Sequence, residues 1–275
     1  MGLSPSRVQA VVGLPWYTIF WELPNSSHRG SEQPSRQTDR RKSDIMTAEL
    51  HPNASEYEDE RRRLMVETQL SSRDITDRHV LDAMRKVPRH LFTPKQYRDQ
   101  AYADRPLPIG HDQTISQPYI VALMTQLTRP QPHFRALDVG TGSGYQAAVL
   151  AELCQEVYSI EIIKPLADSA RERLRELGYR NVHIRCGDAY HGWSEHAPFD
   201  LIIAAAAPGH VPDRLVEQLA VGGRFVLPLG THGIQELIVV EKQKDGSTRQ
   251  WSSGGVAFVL MTGEAMQGQK KAWRK

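Results

Sequence analysis

Hydrophobic and polar positions along this chain follow two rhythms, which change over near residue 134. In the first, apolar residues recur at helical spacing. The segment "EYEDERRRLMVETQLSS" from Glu56 suits a helix, with Leu64, Val66 and Leu70 forming a partial apolar face. The segment "ITDRHVLDAMRKVP" is clearer, because Val80, Leu81, Met84 and Val87 fall at i, i+1, i+4 and i+7. Thr76 is its expected cap and Pro88 its stop. Residues 88 to 115 are rich in proline and turn formers and lack helical periodicity. A loop of that length in a compact domain is usually functional or wraps the surface. The segment "SQPYIVALMTQLT" then restarts a helix, with Ser116 as expected N-cap and Pro118 in the first turn.

From Phe134 the rhythm becomes strand and helix in turn. Strand "RALDV" leads to helix "YQAAVLAELC", and strand "VYSIE" to helix "PLADSARERLRELG". Strand "VHIRCGD" is followed by a turn, then by strand "FDLIIAAA" and helix "PDRLVEQLA". Runs "GRFVLPLG", "QELIVVEK" and "VAFVLMT" complete the sheet, the last two joined by "QKDGSTRQWSSGG" with its Asp-Gly turn signal. Such alternation predicts an α/β fold: a doubly wound, mostly parallel seven-stranded sheet with an antiparallel edge and an N-terminal helical cap.

Composition narrows the picture modestly. With 275 residues, 40% hydrophobic and 24% charged, the chain has the makeup of a soluble globular protein. A net charge of +2 gives no electrostatic case for nucleic acid or membrane partners. Cys154 and Cys186 show no C-x-x-C pattern, which argues against a disulfide framework or zinc site and fits a reducing, cytoplasmic setting. The apolar stretch 8 to 21 is too short to span a bilayer, and "ELPNSS" after it lacks a secretory cleavage site. From Glu22 to Ser55 no aromatic residue occurs, so that segment has little to bury against its ordering entropy. The expected organisation is therefore a disordered extension over 1–55, a catalytic domain over 56–266 and a basic tail over 267–275. No amphipathic seam beyond the domain's own helices suggests a partner, so a monomer is expected.

The stretch "ALDVGTGSGY" carries the first chemical signal. Gly140, Gly142 and Gly144 run G-x-G-x-G behind a strand, and Tyr145 occupies the position where a dinucleotide site has its third glycine. No lysine follows the glycines, so this is not a Walker phosphate loop. S-adenosylmethionine fits, since its adenosine and amino-acid parts need no pyrophosphate seat. Glu161 ends the next strand, 17 residues beyond Gly144, where a carboxylate accepts ribose hydroxyls in doubly wound nucleotide sites. Asp188, after the third strand, falls where an adenine amino group would lie.

Identifying the methyl acceptor requires a family resemblance. "LPIGHDQTISQPY" at 107 to 119, followed by "LDVGTGSGY", "FDLIIAAAAP" and "GGRFVLPLG", closely resembles protein-L-isoaspartate O-methyltransferase over roughly residues 60 to 264. The resemblance implies a Rossmann-like methyltransferase fold and a repair activity on isoaspartyl-containing proteins and peptides. The methyl group would pass from S-adenosylmethionine to the free α-carboxylate of an L-isoaspartyl residue. The ester would then cyclise to a succinimide, which returns in part to aspartate. It also implies that Ser116 belongs to the active site. The implied cofactor site draws on Thr114, Ile115, Ser116, Asp138, Gly140, Gly142, Gly144, Glu161 and Asp188, with no metal. Three positions depart from the family's usual pattern. Asp112 stands where glycine is usual, Leu260 where proline is usual, and "AAAAP" replaces a more varied run. A methyltransferase acting on another carboxylate or small molecule, or a non-catalytic isoaspartyl-binding relative, are the alternatives.

Overall fold

In the computed structural model, which describes residues 54–265 apart from His232, the N-terminal layer begins with helix α1 (Ala54–Met65). The expectations for residues 1–53 and for the tail at 267–275 lie outside the described residues, and the first helix starts two residues before the expected boundary. Helix α1 continues as a π-helical turn, Val66–Ser71. The wider turn shifts the phase of the apolar face. Met65, Val66 and Leu70 are buried, whereas Leu64, expected to be part of that face, is 42% exposed.

Helix α2 (Arg78–Lys86) buries Val80, Leu81, Ala83 and Met84, as its spacing predicts. Its cap is Asp77 rather than Thr76: the Asp77 carboxylate accepts from the N–H groups of His79 and Val80. The backbone N–H of Thr76 instead donates to Gln126 Oε1 at 2.7 Å. A carboxylate at that position also suits the positive end of the helix dipole.

The segment expected to be an irregular loop has structure of its own. Two 3-10 turns, Arg89–Phe92 and Lys95–Gln100, lead into a hairpin of β1 (Leu107–Gly110) and β2 (Gln113–Ile115). Its two-residue turn, His111 and Asp112, holds both at positive φ, 53° and 56°. That is the geometry of a type I′ turn, whose twist matches the strands it joins. Strands of four and three residues, one containing Pro108, are too short to show a period of two. Helix α3 (Pro118–Thr128) follows, with Gln117 and not Ser116 at the N-cap position and no side-chain cap.

The seven-stranded sheet is built from β3 (Arg135–Val139), β4 (Glu156–Glu161), β5 (Val182–Cys186), β6 (Phe199–Ala204), β7 (Leu219–Leu229), β8 (Gln235–Lys242) and β9 (Thr248–Val256). Their spatial order is β5-β4-β3-β6-β7-β8-β9. The first five strands in that order pair in parallel, and β8 and β9 add on antiparallel. The expected fold class therefore holds. Strand order reverses between β3 and β6, and this switch point is where open α/β sheets bind ligands.

Alternating side chains divide the core between the two faces of the sheet. Ala136, Val157, Leu201, Ile203 and Val226 face α2, α3 and α4 (Tyr145–Ala151). Leu137, Tyr158, Ile202 and Leu227 face the other side with Leu215 of α6 (Asp213–Glu217). Between β4 and β5 runs α5 (Lys164–Glu176). Among the described residues no helix is long and apolar enough to cross a membrane.

Two elements near the carboxyl end differ from expectation. Helix α6 stops at Glu217, and Leu219 already begins β7. The last strand is the polar run Thr248–Val256, most of which lies in the expected connecting turn, whereas the apolar "VAFVLMT" supplies only its final residue. The rest of that run bridges back to the loop after β6. The departure at Leu260 is explained there. Ala207 donates to the Val259 carbonyl at 2.8 Å and accepts from the Met261 N–H at 2.8 Å. The bridge makes no use of the N–H of residue 260, so proline or leucine serves.

The hairpin turn yields a prediction. Asp112 is exposed at positive φ, a conformation that Asp tolerates and β-branched residues do not. Asp112→Val should cost about 1–2 kcal/mol in urea unfolding, whereas Asp112→Gly should leave both stability within about 1 kcal/mol and turnover unchanged. A large activity change in the glycine variant would show that the carboxylate, not the turn, matters.

Candidate active site

The three glycines at the carboxyl end of β3 each meet a different element. All have positive φ, at 93° for Gly140, 52° for Gly142 and 88° for Gly144. A β-carbon on Gly140 would lie 3.7 Å from Ala205 Cβ, in the loop after β6. One on Gly142 would come within 3.3 Å of Ile109 Cδ1 on the hairpin, and one on Gly144 within 3.2 Å of Leu174 on α5. The loop is thus closed in from three sides, and the small side chains of "AAAAP" are part of that fit. Arg173 of α5 adds a hydrogen bond, 2.9 Å to the Ser143 carbonyl.

Glu161 is the loop's anchor. It is only 5% exposed, and its carboxylate oxygens accept from two backbone donors. Gly142 N–H reaches Oε2 at 2.8 Å, and Ile163 N–H reaches Oε1 at 2.9 Å. Each oxygen keeps a lone pair for a further donor. Ile162, directly after it, leaves an apolar side chain 40% exposed at the sheet's carboxyl edge. Sequence reasoning missed Ile162. Its signal is an isoleucine placed directly after a buried acid at a strand end.

Asp138 lies beneath the loop, fully buried. Ser159 Oγ donates to its Oδ2 at 2.7 Å, and Ser159 in turn lies 2.6 Å from Thr141 Oγ1. This chain of hydroxyls ties β3, β4 and the glycine loop together, and neither Ser159 nor Thr141 was singled out from the sequence. Asp138 Oδ1 is buried without a hydrogen-bond partner. Burial pushes the Asp138 carboxyl up to about 7, the Ser159 hydrogen bond opposes this, and the charge of Glu161 adds to it.

Asp188 caps the short 3-10 turn Ala189–His191, its Oδ1 accepting from Tyr190 N–H. Its Oδ2 accepts from the N–H of Glu264 at 2.8 Å. It sits beside Glu161, because Glu161 pairs with Cys186 and Gly187 N–H bonds the Glu161 carbonyl at 2.9 Å. On the hairpin side, Thr114 is exposed and Ser116 half-buried, whereas Ile115 turns into the hydrophobic core. Among the described residues the Ser116 hydroxyl makes no hydrogen bond. Asp112 is exposed at the hairpin tip.

These residues fit a cationic nucleoside cofactor. Two buried carboxyl groups, Asp138 and Glu161, sit under the loop without a salt-bridge partner among the described residues, and one of their oxygens lacks a donor. S-adenosylmethionine brings a sulfonium, an ammonium and ribose hydroxyls, all of which suit that set.

The Asp138 carboxyl also sets a pH dependence. Its value near 7 stands above the ordinary 3.8, so the folded protein binds a proton that the unfolded chain has lost. The Asp138 contribution to stability without cofactor should therefore be fully present below about pH 4, fall as pH rises toward 7, and level off above it. The loss is at most on the order of 4 kcal/mol. Asp138→Asn should remove this slope, being more stable than the parent at pH 8 but not at pH 4. Chemical denaturation across that range tests it, and parallel curves for the two proteins would refute it.

Comparison with known proteins places the chain. Residues 60–266 match the family described as protein-L-isoaspartate(D-aspartate) O-methyltransferase. A protein-L-isoaspartate O-methyltransferase 2 from Polaromonas sp. is 56% identical over 189 residues, covering 68% of this chain and 90% of its own. A protein-L-isoaspartate O-methyltransferase from Opitutus terrae is 57% identical, covering 74% of this chain and 87% of its own. A Plasmodium falciparum protein assigned to the same family, solved with S-adenosyl-L-homocysteine, is 27% identical with a TM-score of 0.64. The match covers 73% of this chain and 98% of that one. A second solved protein-L-isoaspartate O-methyltransferase, 24% identical with a TM-score of 0.68 over 78% of this chain and 69% of its own, shares the fold. The glycine loop, its carboxylate anchor and the hairpin packed against it thus belong to a chain of the protein-L-isoaspartate(D-aspartate) O-methyltransferase family.

Proposed function

We propose that the hairpin–α3 junction and the glycine loop are the acceptor and donor halves of one site. There this S-adenosylmethionine-dependent enzyme methylates the free α-carboxylate of L-isoaspartyl residues in damaged proteins. The observation that carries the reading is the close approach of Ile109 to Gly142, which brings the hairpin that leads into Ser116 onto the loop. Glu161 would take the ribose hydroxyls, Asp188 the adenine amino group and Ile162 an apolar face of the base. Thr114 and the backbone of Ile115 would border the donor from the hairpin side, and Asp138 would face its positive charge.

The acceptor chemistry asks for placement rather than proton removal. An α-carboxylate has a pKa of about 3.3–3.7 and is already ionised at neutral pH. Its oxygen must be held in line with the methyl carbon and the departing sulfur, and such alignment contributes up to about 7–11 kcal/mol. Ser116 offers a hydroxyl. Two residues on, α3 begins with Pro118, and its first internal bond runs from Val121 N–H to the Gln117 carbonyl. The N–H groups of Tyr119 and Ile120 therefore face outward at the positive end of the helix, a natural seat for an anion. Methyl transfer yields an ester; the neighbouring amide nitrogen then attacks its carbonyl, loses its proton and expels methanol, giving the succinimide without further help from the enzyme.

The body spanning 56–266 is read as one catalytic domain, with 1–55 and 267–275 as appendages. It is read as a cytoplasmic monomer with no role in nucleic acid binding. Both cysteines, Cys154 and Cys186, are free thiols, which fits a reducing compartment.

Methyl transfer to paired peptides tests the reading. A peptide with isoaspartate should be methylated, and the same peptide with ordinary aspartate should be essentially inert, since only one places its free carboxylate in line. Ser116→Ala should slow transfer by roughly ten- to a hundredfold, from the loss of one hydrogen bond to a charged group. Equal reaction of both peptides, or a fully active Ser116→Ala, would refute the acceptor assignment. For the donor half, Glu161→Ala should weaken S-adenosylhomocysteine binding in calorimetric titration by about 3–6 kcal/mol at most. Unchanged affinity in a folded Glu161→Ala protein would remove that residue from the site.

A further inference from the structure

Arg89 is a fully buried cation with no role in the chemistry above. It opens the 3-10 turn that follows α2 and Pro88. Its Nε donates to the Ala101 carbonyl at 2.7 Å. Neither terminal nitrogen makes a hydrogen bond of ordinary geometry, and among the described residues no carboxylate forms an ion pair with it. Its guanidinium carbon instead lies 4.9 Å from the centroid of the Tyr145 ring. Burial lowers the guanidinium to about 10, with Tyr145 and Tyr102 acting in the opposite direction, so it remains charged at neutral pH.

Tyr145 is the residue directly after Gly144 and the first of α4. Its ring also meets the edge of Phe92 at 5.5 Å, and its hydroxyl points at the Met84 sulfur, 3.7 Å away. The next residue, Gln146, donates to Thr125 Oγ1 of α3 at 2.9 Å. The start of the glycine-loop helix is therefore fastened to the N-terminal layer by polar contacts inside an apolar core. Arg89 joins two lines of chain there. Through Ala101 it holds the segment that runs into β1 and so to Ser116. Through Tyr145 it holds the end of the glycine loop.

Stability alone does not account for such a group. A buried cation without an ion-pair partner is costly, and an apolar side chain of similar volume is often neutral or stabilising in its place. Arg89 does supply a planar charge that rests on an aromatic face while its Nε engages a carbonyl, a combination a methionine cannot offer. We propose that Arg89 is a positioning residue for methyl transfer: held by the Ala101 carbonyl and pressed on the Tyr145 ring, it fixes the separation between the hairpin that presents Ser116 and the glycine loop that presents the donor. The inference rests on reading hairpin and loop as the two halves of one site.

The full chain carrying Arg89→Met, Arg89→Lys, Tyr145→Leu or both Arg89→Met and Tyr145→Leu tests this. Three quantities are compared: melting temperature, S-adenosylhomocysteine affinity and the single-turnover rate of methylation of an isoaspartyl peptide. Arg89→Met should melt no lower than the parent and bind S-adenosylhomocysteine within about threefold. Its transfer rate should fall by roughly ten- to a hundredfold, the effect expected of a misplacement near 1 Å. Arg89→Lys, which keeps the charge, should recover part of that rate. Tyr145→Leu should show a similar loss, and the double variant should be no slower than the slower single variant, because both act through one contact. A parental rate in Arg89→Met, or losses that multiply in the double variant, would overturn the proposal. If Arg89→Met does not fold, Arg89→Lys and Tyr145→Leu decide it: parental rates in both refute it. A fully active Ser116→Ala beside a slow Arg89→Met would instead refute the reading of the hairpin and leave the coupling to the glycine loop. A slow Ser116→Ala beside a normal Arg89→Met would refute only the role of Arg89.

Discussion

The carboxylate of Glu161 holds the backbone of two loops at once, and the site is arranged around it. Its oxygens take the N–H of Gly142, at the middle of the glycine loop, and of Ile163, at the turn into α5. Ionised carboxylates bond backbone N–H groups more strongly than neutral acceptors do, and burial strengthens the interaction further. A loop whose glycines have been freed of side chains needs such an anchor, since glycine loses more conformational freedom on ordering than any other residue. A β-carbon on Gly142 or Gly144 would crowd Ile109 or Leu174, at 3.3 and 3.2 Å, whereas at Gly140 the positive φ rather than the space asks for glycine.

That arrangement concentrates negative charge. Asp138 and Glu161 stand on adjacent strands, both buried, with Ser159 and Thr141 linking Asp138 to the loop. Burial and the charge of Glu161 both raise the proton affinity of Asp138, and a cationic ligand placed there would relieve that repulsion. Arg89 is a comparable case on the other side of the glycine loop. It is a buried charge of opposite sign with no ion-pair partner among the described residues, received by an aromatic face and a carbonyl.

Two of the three departures from the family's usual residues fall where the backbone sets the requirement. Asp112 occupies a left-handed position in a two-residue turn, which glycine fills without strain and aspartate fills tolerably. Leu260 sits in a bridge that uses its neighbours' polar groups and not its own N–H. Neither change reaches the glycine loop, Glu161 or Asp138.

Sequence by itself determined the sheet's interior and the identity of the loop. β3, β4, β6 and β8 are apolar runs bounded by turns, and burial of a strand can be read from its own residues. Gly140, Gly142, Gly144 and Glu161 were legible for a similar reason, because a strand end followed by glycines or a carboxylate is a local pattern. The hairpin was not legible, being too short for a period and held by a turn whose second residue is not the expected glycine. β9 was hidden because an edge strand faces water and carries polar residues, while the apolar run after it forms a bridge. The caps at Asp77 and Gln117 shifted by one residue, since which side chain reaches a helix end depends on how the chain enters it. Tertiary structure alone decided the partners: Glu161 with Gly142, Ile109 with Gly142, Arg89 with Tyr145. Those contacts join residues 19, 33 and 56 positions apart, and no local pattern of hydrophobicity or spacing encodes which distant element a side chain will meet.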